Sequence, residues 1–302
     1  MATPLPPTTS ATHFASLHVP GNPLVIPNIW DLSSLNSVLS LNSSAAATEP
    51  PNSSPNTGSP VKAVATASYA IAATLGLADE DLSLGANLIR IRRLAPHVRA
   101  AGLPLTVDIQ DGYGERLDEV VRAVVEAGAV GANVEDLRSE VDERGSRLWA
   151  LEEQVTRLRR VVQIARESGC AEFVLNARCD VFNPASRSSY MAHGERGEEK
   201  GDDEKLLDEA VRRGRAYLEA GATTVFVWGG PSRGLRDHEI RALVREFEGR
   251  LAVKLGTSEN SLSVKDLADM GVARITVGPS LYLAATRTIR EGAERIVDGG
   301  KL

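Results

Sequence analysis

Apolar residues along this chain follow two alternating rhythms. Short dense runs of Val, Ile, Leu and Ala recur at 24–29, 63–67, 104–108, 130–134, 172–177, 223–228, 251–255 and 273–277, and each reads as a buried strand. Between them the spacing is helical. Leu117, Val120, Val121, Val124 and Val125 form one stripe; Val155, Leu158, Val161 and Val162 a second; Leu206, Leu207, Ala210, Val211, Tyr217 and Leu218 a third. A further helix is predicted over 32–41. Strands that alternate with helices favour parallel pairing through right-handed crossovers. Eight such units in roughly 250 residues predict an α/β fold, a closed (β/α)8 TIM barrel. The competing arrangement is an open doubly wound sheet, but no Gly-x-Gly-x-x-Gly follows the first strand.

Two stretches break the rhythm. Residues 42–60 are rich in Ser, Pro and Asn, and 186–204 are polar and charged; both read as surface insertions in a single barrel domain spanning 21–302. Residues 1–20 read as a flexible tail, with 13–18 able to begin a short helix.

Composition narrows the function classes. A net charge of −6 and the lack of a basic tract speak against nucleic acid. No apolar run approaches the ~20 residues of a membrane span. Two cysteines, Cys170 and Cys179, are too few for a disulfide framework and lack metal-binding spacing. The N-terminus carries neither a signal-like nor an arginine-rich leader, so the cytoplasm is expected.

Candidate chemistry lies at the strand ends, where barrel active sites are built. Successive strands deliver Trp30; Ser68 and Tyr69, then Asp79; Asp108, Gln110 and Asp111; Glu135 and Asp136; Arg178 and Asp180; Trp228; and Lys254. Asp79, Asp108 and Glu135 gathered without a cation would repel one another. Mg2+, which prefers oxygen ligands and retained waters, removes that conflict. Arg178 then offers a planar fork to a substrate carboxylate or phosphonate. Plainer readings stand beside these. Single acids and Ser68 can be helix caps, Arg178 can pair with Asp180 or Asp136 as a structural ion pair, and Trp30 can be packing.

Several motifs together resemble the isocitrate lyase/phosphoenolpyruvate mutase superfamily. They are Pro27-Asn-Ile-Trp-Asp31, Thr66-Ala-Ser-Tyr-Ala-Ile-Ala-Ala-Thr-Leu-Gly76, Val107-Asp-Ile-Gln-Asp-Gly-Tyr-Gly114, Gly131-Ala-Asn-Val-Glu-Asp136, Asn176-Ala-Arg-Cys-Asp180 and Gly271-Val-Ala-Arg-Ile-Thr-Val-Gly-Pro279. The resemblance implies a barrel whose last helix is often exchanged between subunits of a homodimer or homotetramer. It implies Mg2+ held directly at Asp108, with Asp79 and Glu135 at positions that hold the metal's waters. Gln110 stands where an acid is usual, and its amide can also hold such a water. Ser68, with Tyr69 beside it, lies in the segment that binds substrate oxyanions, Arg178 matches the substrate-binding arginine, and Trp30 belongs to the motif at the same rim. Ser68 and Arg178 are thus the expected catalytic residues, and Trp30, Ser68, Tyr69, Asp108 and Arg178 the expected substrate contacts.

The implied activity is that of a lyase-type enzyme acting on a small 2-oxo or 2-hydroxy carboxylate through an enolate-like intermediate. Phosphonomutase and oxo-acid hydrolase activity, or a non-catalytic binding barrel, are the alternatives. The loop over 137–149 lacks the cysteine that isocitrate-cleaving members carry, so the resemblance is to another branch, and Arg138, Glu140 and Arg144 are the loop groups able to close over the site.

Overall fold

The computed structural model describes residues 7–46, 59–138, 141, 146–186, 201–231 and 233–302. Its strands are β1 (Leu24–Ile26), β2 (Asn28–Ile29), β3 (Val64–Thr66), β4 (Leu105–Asp108), β5 (Gly131–Glu135), β6 (Val174–Cys179), β7 (Thr224–Val227), β8 (Leu251–Lys254) and β9 (Arg274–Thr276). Every pairing is parallel, and the order runs β1-β9-β8-β7-β6-β5-β4-β3-β2. β1 and β2 are the two halves of the run predicted at 24–29. Pro27 lies between them and lacks the N–H that a continuous ladder needs. One half pairs with β9 and the other with β3, and the Pro27 carbonyl accepts the Ala65 N–H at 3.1 Å. The ring therefore closes through the chain itself, as an α/β TIM barrel.

The helices lie outside. In α5 (Leu117–Ala127) the predicted stripe of Leu117, Val120, Val121, Val124 and Val125 is buried. In α6 (Leu151–Glu167) Leu158 and Val161 are buried, while Val155 and Val162 only pack at the margin. In α7 (Asp202–Glu219) Leu206, Ala210 and Tyr217 face inward. Inside the ring the middle layer is polar: Thr224 Oγ1 donates to Asn176 Oδ1 (2.6 Å), Asn176 Nδ2 donates to Asn133 Oδ1 (2.8 Å), and buried Arg274 donates to that same oxygen (3.2 Å).

Part of the expected tail is ordered structure. Residues Pro7–Ser16 form α1, with Ala11 and Phe14 fully buried. A Cβ built on Gly131 would meet the Phe14 ring at 3.0 Å, and the Arg274 guanidinium lies 5.9 Å from the centroid of that ring. Phe14 thus closes the end of the barrel opposite the strand C-termini, an apolar demand that a polar, proline-rich stretch did not advertise. The helix predicted over 32–41 extends to 46 as α2 (Leu32–Ala46), so the first five residues of the insertion expected at 42–60 are helical. Asn42 explains the extension, because its side chain clamps both backbone groups of Val61 at 2.9 Å each. Residues 47–58 and 187–200, the bulk of both expected insertions, lie outside the described residues. Among the described residues no helix is long and apolar enough to cross a membrane.

The last helix, α10 (Ser280–Val297), follows α8 (Asp237–Glu246) and α9 (Val264–Asp269). Gly292 is its one buried residue, while Leu281, Leu283, Ile289, Ile296 and Val297 are exposed. The first turn is anchored by Tyr282, whose ring meets Trp30 edge-on at 5.3 Å.

Candidate active site

The site forms on the rim at the strand C-termini, and the backbone after β4 shapes it. Gln110, Gly112, Tyr113 and Gly114 all have positive φ (52°, 87°, 59° and 62°). Non-glycine residues adopt this region at a cost, and such strain concentrates at functional turns. The turn is held from below by Asn87, whose buried amide donates to the Asp108 carbonyl (2.9 Å) and the Tyr113 hydroxyl (2.8 Å). No helical or strand periodicity marks Asn87 for this task, so sequence reasoning missed it.

Asp108 presents its carboxylate at the end of β4. Oδ2 accepts the Ser68 hydroxyl at 3.1 Å and the Ser68 N–H at 3.3 Å, and Oδ1 accepts the Gln110 N–H at 3.2 Å. Gln110 reaches across to the 3-10 turn Asp79–Asp81, donating to the Asp79 carbonyl at 2.6 Å and more distantly to its carboxylate at 3.4 Å. Glu135, at the end of β5, lies in register with Arg178 of β6. Arg178 is gripped twice, by Glu135 at 2.6 Å and by Asp180 at 2.7 Å, and its guanidinium stacks 4.8 Å from the Trp228 ring centroid.

Electrostatics ties these groups into one cluster. Burial, reinforced by the Asp108 charge, pushes the Asp79 carboxyl up to about 6. Burial also raises Glu135 well above the usual carboxylate range, against the pull of Arg178 and with the push of Asp180, Asp108 and Asp79. Asp180 is raised to about 6 by burial although Arg178 opposes it. Desolvation works against the Arg178 charge, but Asp180 and Glu135 outweigh it and hold the guanidinium protonated. The three acids expected to converge are therefore mutual neighbours, with Asp180 added.

The fork of Arg178 was expected to stand free, and here both of its terminal nitrogens are engaged. The ion-pair reading of Arg178 held for Asp180, with Glu135 in place of Asp136. Asp136 turns away from the rim. It is fully buried and accepts from Tyr217 Oη (2.6 Å), Arg213 (3.1 Å) and the Asp180 N–H (2.8 Å), so its work is to seat Asp180. Trp30 packs on Ile71, Ala72 and Leu82 and on Tyr282, and Tyr69 is 41% exposed. Of the loop candidates, Arg138 stacks on Trp149 (4.8 Å), while Glu140 and Arg144 lie outside the described residues.

The donor set fits Mg2+. Among the described residues no three His, Cys, Asp or Glu side chains are close enough to cage an ion directly. Mg2+ does not require such a cage, since it commonly takes one or two carboxylates and keeps several waters. Carboxylates whose pKa values are raised by burial and then by one another's charge, and Asp180 Oδ2, buried with no hydrogen-bond partner among the described residues, are what a cation with its waters would relieve.

Comparison with known proteins agrees with this geometry. A family profile described as phosphoenolpyruvate phosphomutase matches residues 14–297. The crystal structure of a candidate phosphonomutase from Burkholderia cenocepacia J2315 superimposes with a TM-score of 0.72 and 31% identity, covering 98% of this chain and 100% of that one. An uncharacterized protein of Mycobacterium tuberculosis (strain ATCC 25618 / H37Rv) is 26% identical over 96% of this chain and 90% of its own length. An oxaloacetate decarboxylase of Rhodopseudomonas palustris (strain ATCC BAA-98 / CGA009) is 27% identical over 74% of this chain and 69% of its own. With its barrel, its acidic rim and a family match over nearly its whole length, this chain belongs to the phosphoenolpyruvate phosphomutase family of the isocitrate lyase/phosphoenolpyruvate mutase superfamily.

Proposed function

We propose that this chain is an Mg2+-dependent lyase-type enzyme that acts on a small 2-oxo or 2-hydroxy carboxylate through an enolate-like intermediate. The observation that carries the reading is the acidic rim itself: Glu135 and Asp180 pair with Arg178, and beside them Gln110 donates its side chain to Asp79 and its N–H to Asp108. The relative named as an oxaloacetate decarboxylase supports chemistry that breaks a bond next to a carboxylate.

Asp108 would hold the metal, with Asp79, Glu135 and Gln110 on its waters. When bound, Mg2+ supplies Lewis-acid stabilisation of the charge that develops on the substrate's 2-oxygen. Ser68 steadies Asp108 through its hydroxyl and its N–H and lies beside the site where substrate oxygens would dock. Arg178 would bind the substrate carboxylate through the guanidinium edge that Glu135 now holds, exchanging one carboxylate partner for another. Trp228 backs the guanidinium and excludes water from one side.

We further read the protein as a cytoplasmic homodimer or homotetramer in which the apolar face of α10 packs on a second copy. Free, buried Cys170 and Cys179 suit a reducing compartment.

The test is metal-dependent turnover on a panel of short 2-oxo and 2-hydroxy acids, together with thermal melting. Mg2+ should raise the Tm of the wild type, and Asp108→Ala should abolish both that rise and turnover while the circular dichroism of the barrel is retained. A protein that melts identically with and without Mg2+ and converts none of the panel would be a barrel used for binding or assembly. Product analysis separates cleavage from the mutase and hydrolase alternatives.

A further inference from the structure

The acidic rim rests on a turn that takes its shape from groups outside it. Gln110 and Tyr113 are non-glycine residues at positive φ, and Gly112 and Gly114 share that region with them. The rim depends on this conformation. The Gln110 carbonyl accepts the Glu135 N–H at 2.9 Å, the Gln110 N–H donates to Asp108 Oδ1, and the Gln110 amide reaches Asp79. Relaxation of Gln110 to negative φ would swing its carbonyl away from Glu135 and loosen β4 from β5 at the point where their carboxylates stand. Backbone of this kind persists only where the surroundings over-determine it. Asn87 supplies one hold, from below.

The second hold comes from α6. Arg157 Nη1 donates to the Gly114 carbonyl at 3.1 Å, and Nη2 donates to the Asp111 carbonyl. The guanidinium also lies against Gly112, where a Cβ would stand 3.5 Å from Nη2. One planar group thus bridges the turn with two prongs. Both terminal nitrogens go to main-chain carbonyls, and the charge has no paired carboxylate among the described residues. The same guanidinium stacks on Trp149, 4.1 Å from the ring centroid. Trp149 is tied to the other half of the rim: its N–H donates to the Asp136 carbonyl at 2.9 Å, and its own carbonyl accepts from Arg213 at 3.0 Å. Asp136 in turn seats Asp180, the partner of Arg178. Three residues before Arg157, fully buried Gln154 donates to the Glu135 carbonyl at 3.2 Å. Residues three apart share a helix face. One face of α6 therefore holds the main chain behind Glu135 and the turn behind Asp108 together.

We infer that Arg157 is a positioning residue for the metal centre: its two-pronged grip on the Asp111 and Gly114 carbonyls fixes the separation of Asp108 and Gln110 from Glu135. This rests on the proposed function above and deepens it. Partners outside the ligand shell set how well ligands are aimed, and their loss commonly weakens metal binding 10- to 100-fold. A lysine at this place would bring the charge but neither the fork nor the planar stack on Trp149.

Mn2+, which suits the same oxygen donors, is the probe, with the free ion counted by electron paramagnetic resonance in the cold, below the melting transition of each variant. Arg157→Met should weaken Mn2+ binding about tenfold or more, and Arg157→Lys nearly as much. Arg160→Met, three residues along α6, removes only the exposed pair with Asp118 and should bind Mn2+ like the wild type. A purely structural Arg157 would lower the metal-free Tm and leave Mn2+ affinity unchanged, and that result would overturn the positioning role. Full affinity in Arg157→Lys would overturn it too, by showing that a point charge suffices; this variant also carries the comparison if Arg157→Met does not fold. If the wild type binds no Mn2+ and Asp108→Ala changes nothing, the parent reading fails and the positioning role with it. Binding that Asp108→Ala abolishes and Arg157→Met leaves intact sinks the positioning role alone.

Discussion

At the residue scale, the buried ionic network around Asp136 sets the position of Asp180 and so the pairing of Arg178. Arg213 is nearly fully buried and joins Asp136, Glu209 and the Trp149 carbonyl. Arg213→Met should destabilise the fold by about 3–5 kcal/mol, because it strands two buried carboxylates. Adding Asp136→Asn should recover part of that loss in urea melts; no recovery would mean that packing, not charge, dominates there. His18 offers a second test. Its Nδ1–H donates to the Phe14 carbonyl (2.9 Å), and Nε2 is buried with no partner among the described residues. Burial first, and nearby Arg274 second, lower its pKa from 6.5 to about 3. A histidine held neutral in the native state binds fewer protons than in the unfolded chain between those values. Its contribution is complete above pH 6.5 and is lost as the pH falls toward 3, at up to about 1.4 kcal/mol per pH unit. His18→Gln should flatten the acid side of the stability curve relative to wild type; superimposable curves would refute the assignment. Of these residues, the sequence showed Asp136 only as one more rim acid. Whether it points into the site depends on Tyr217 and Arg213, which lie some eighty residues along the chain.

At the element scale, the close approach of α7 to the end of α8 depends on the missing side chain of Gly214. A Cβ there would lie 2.1 Å from Cζ of Phe247, which is fully buried. Ala gains up to about 1 kcal/mol over Gly in a helix interior. Overpacking a core costs roughly 1–3 kcal/mol. The clash therefore wins, and Gly214→Ala should lower the Tm; a rise would show that the helices can part without loss. The helical stripes were legible because 3.6-residue periodicity is local. The role of α1 was not, since its two buried residues, Ala11 and Phe14, gain meaning only from the open barrel end they fill.

At the scale of the whole molecule, α10 is an amphipathic helix of eighteen residues that a single copy leaves uncovered. Ile289 is 69% exposed and Val297 84%. Ile289→Glu should convert the proposed homo-oligomer to monomers in light scattering while leaving far-ultraviolet circular dichroism intact. A wild type that is already monomeric at high concentration would remove the reason for that face. The wear on such an interface need not reach the acidic rim, so metal-dependent melting provides an internal control.

Local pattern alone determined that strands and helices alternate, where eight strands begin, that they pair in parallel, and which acids end them. These follow from short-range steric preference and from the alternation of apolar and polar positions. The tertiary structure decided what no spacing encodes: that Pro27 splits the first strand so that the ring closes across it, that Arg178 is shared between Glu135 and Asp180, and that Asp136 serves as a support. The physical reason is range. Burial and Coulomb energy depend on distances between segments far apart in the chain, and those distances exist only once the barrel has closed.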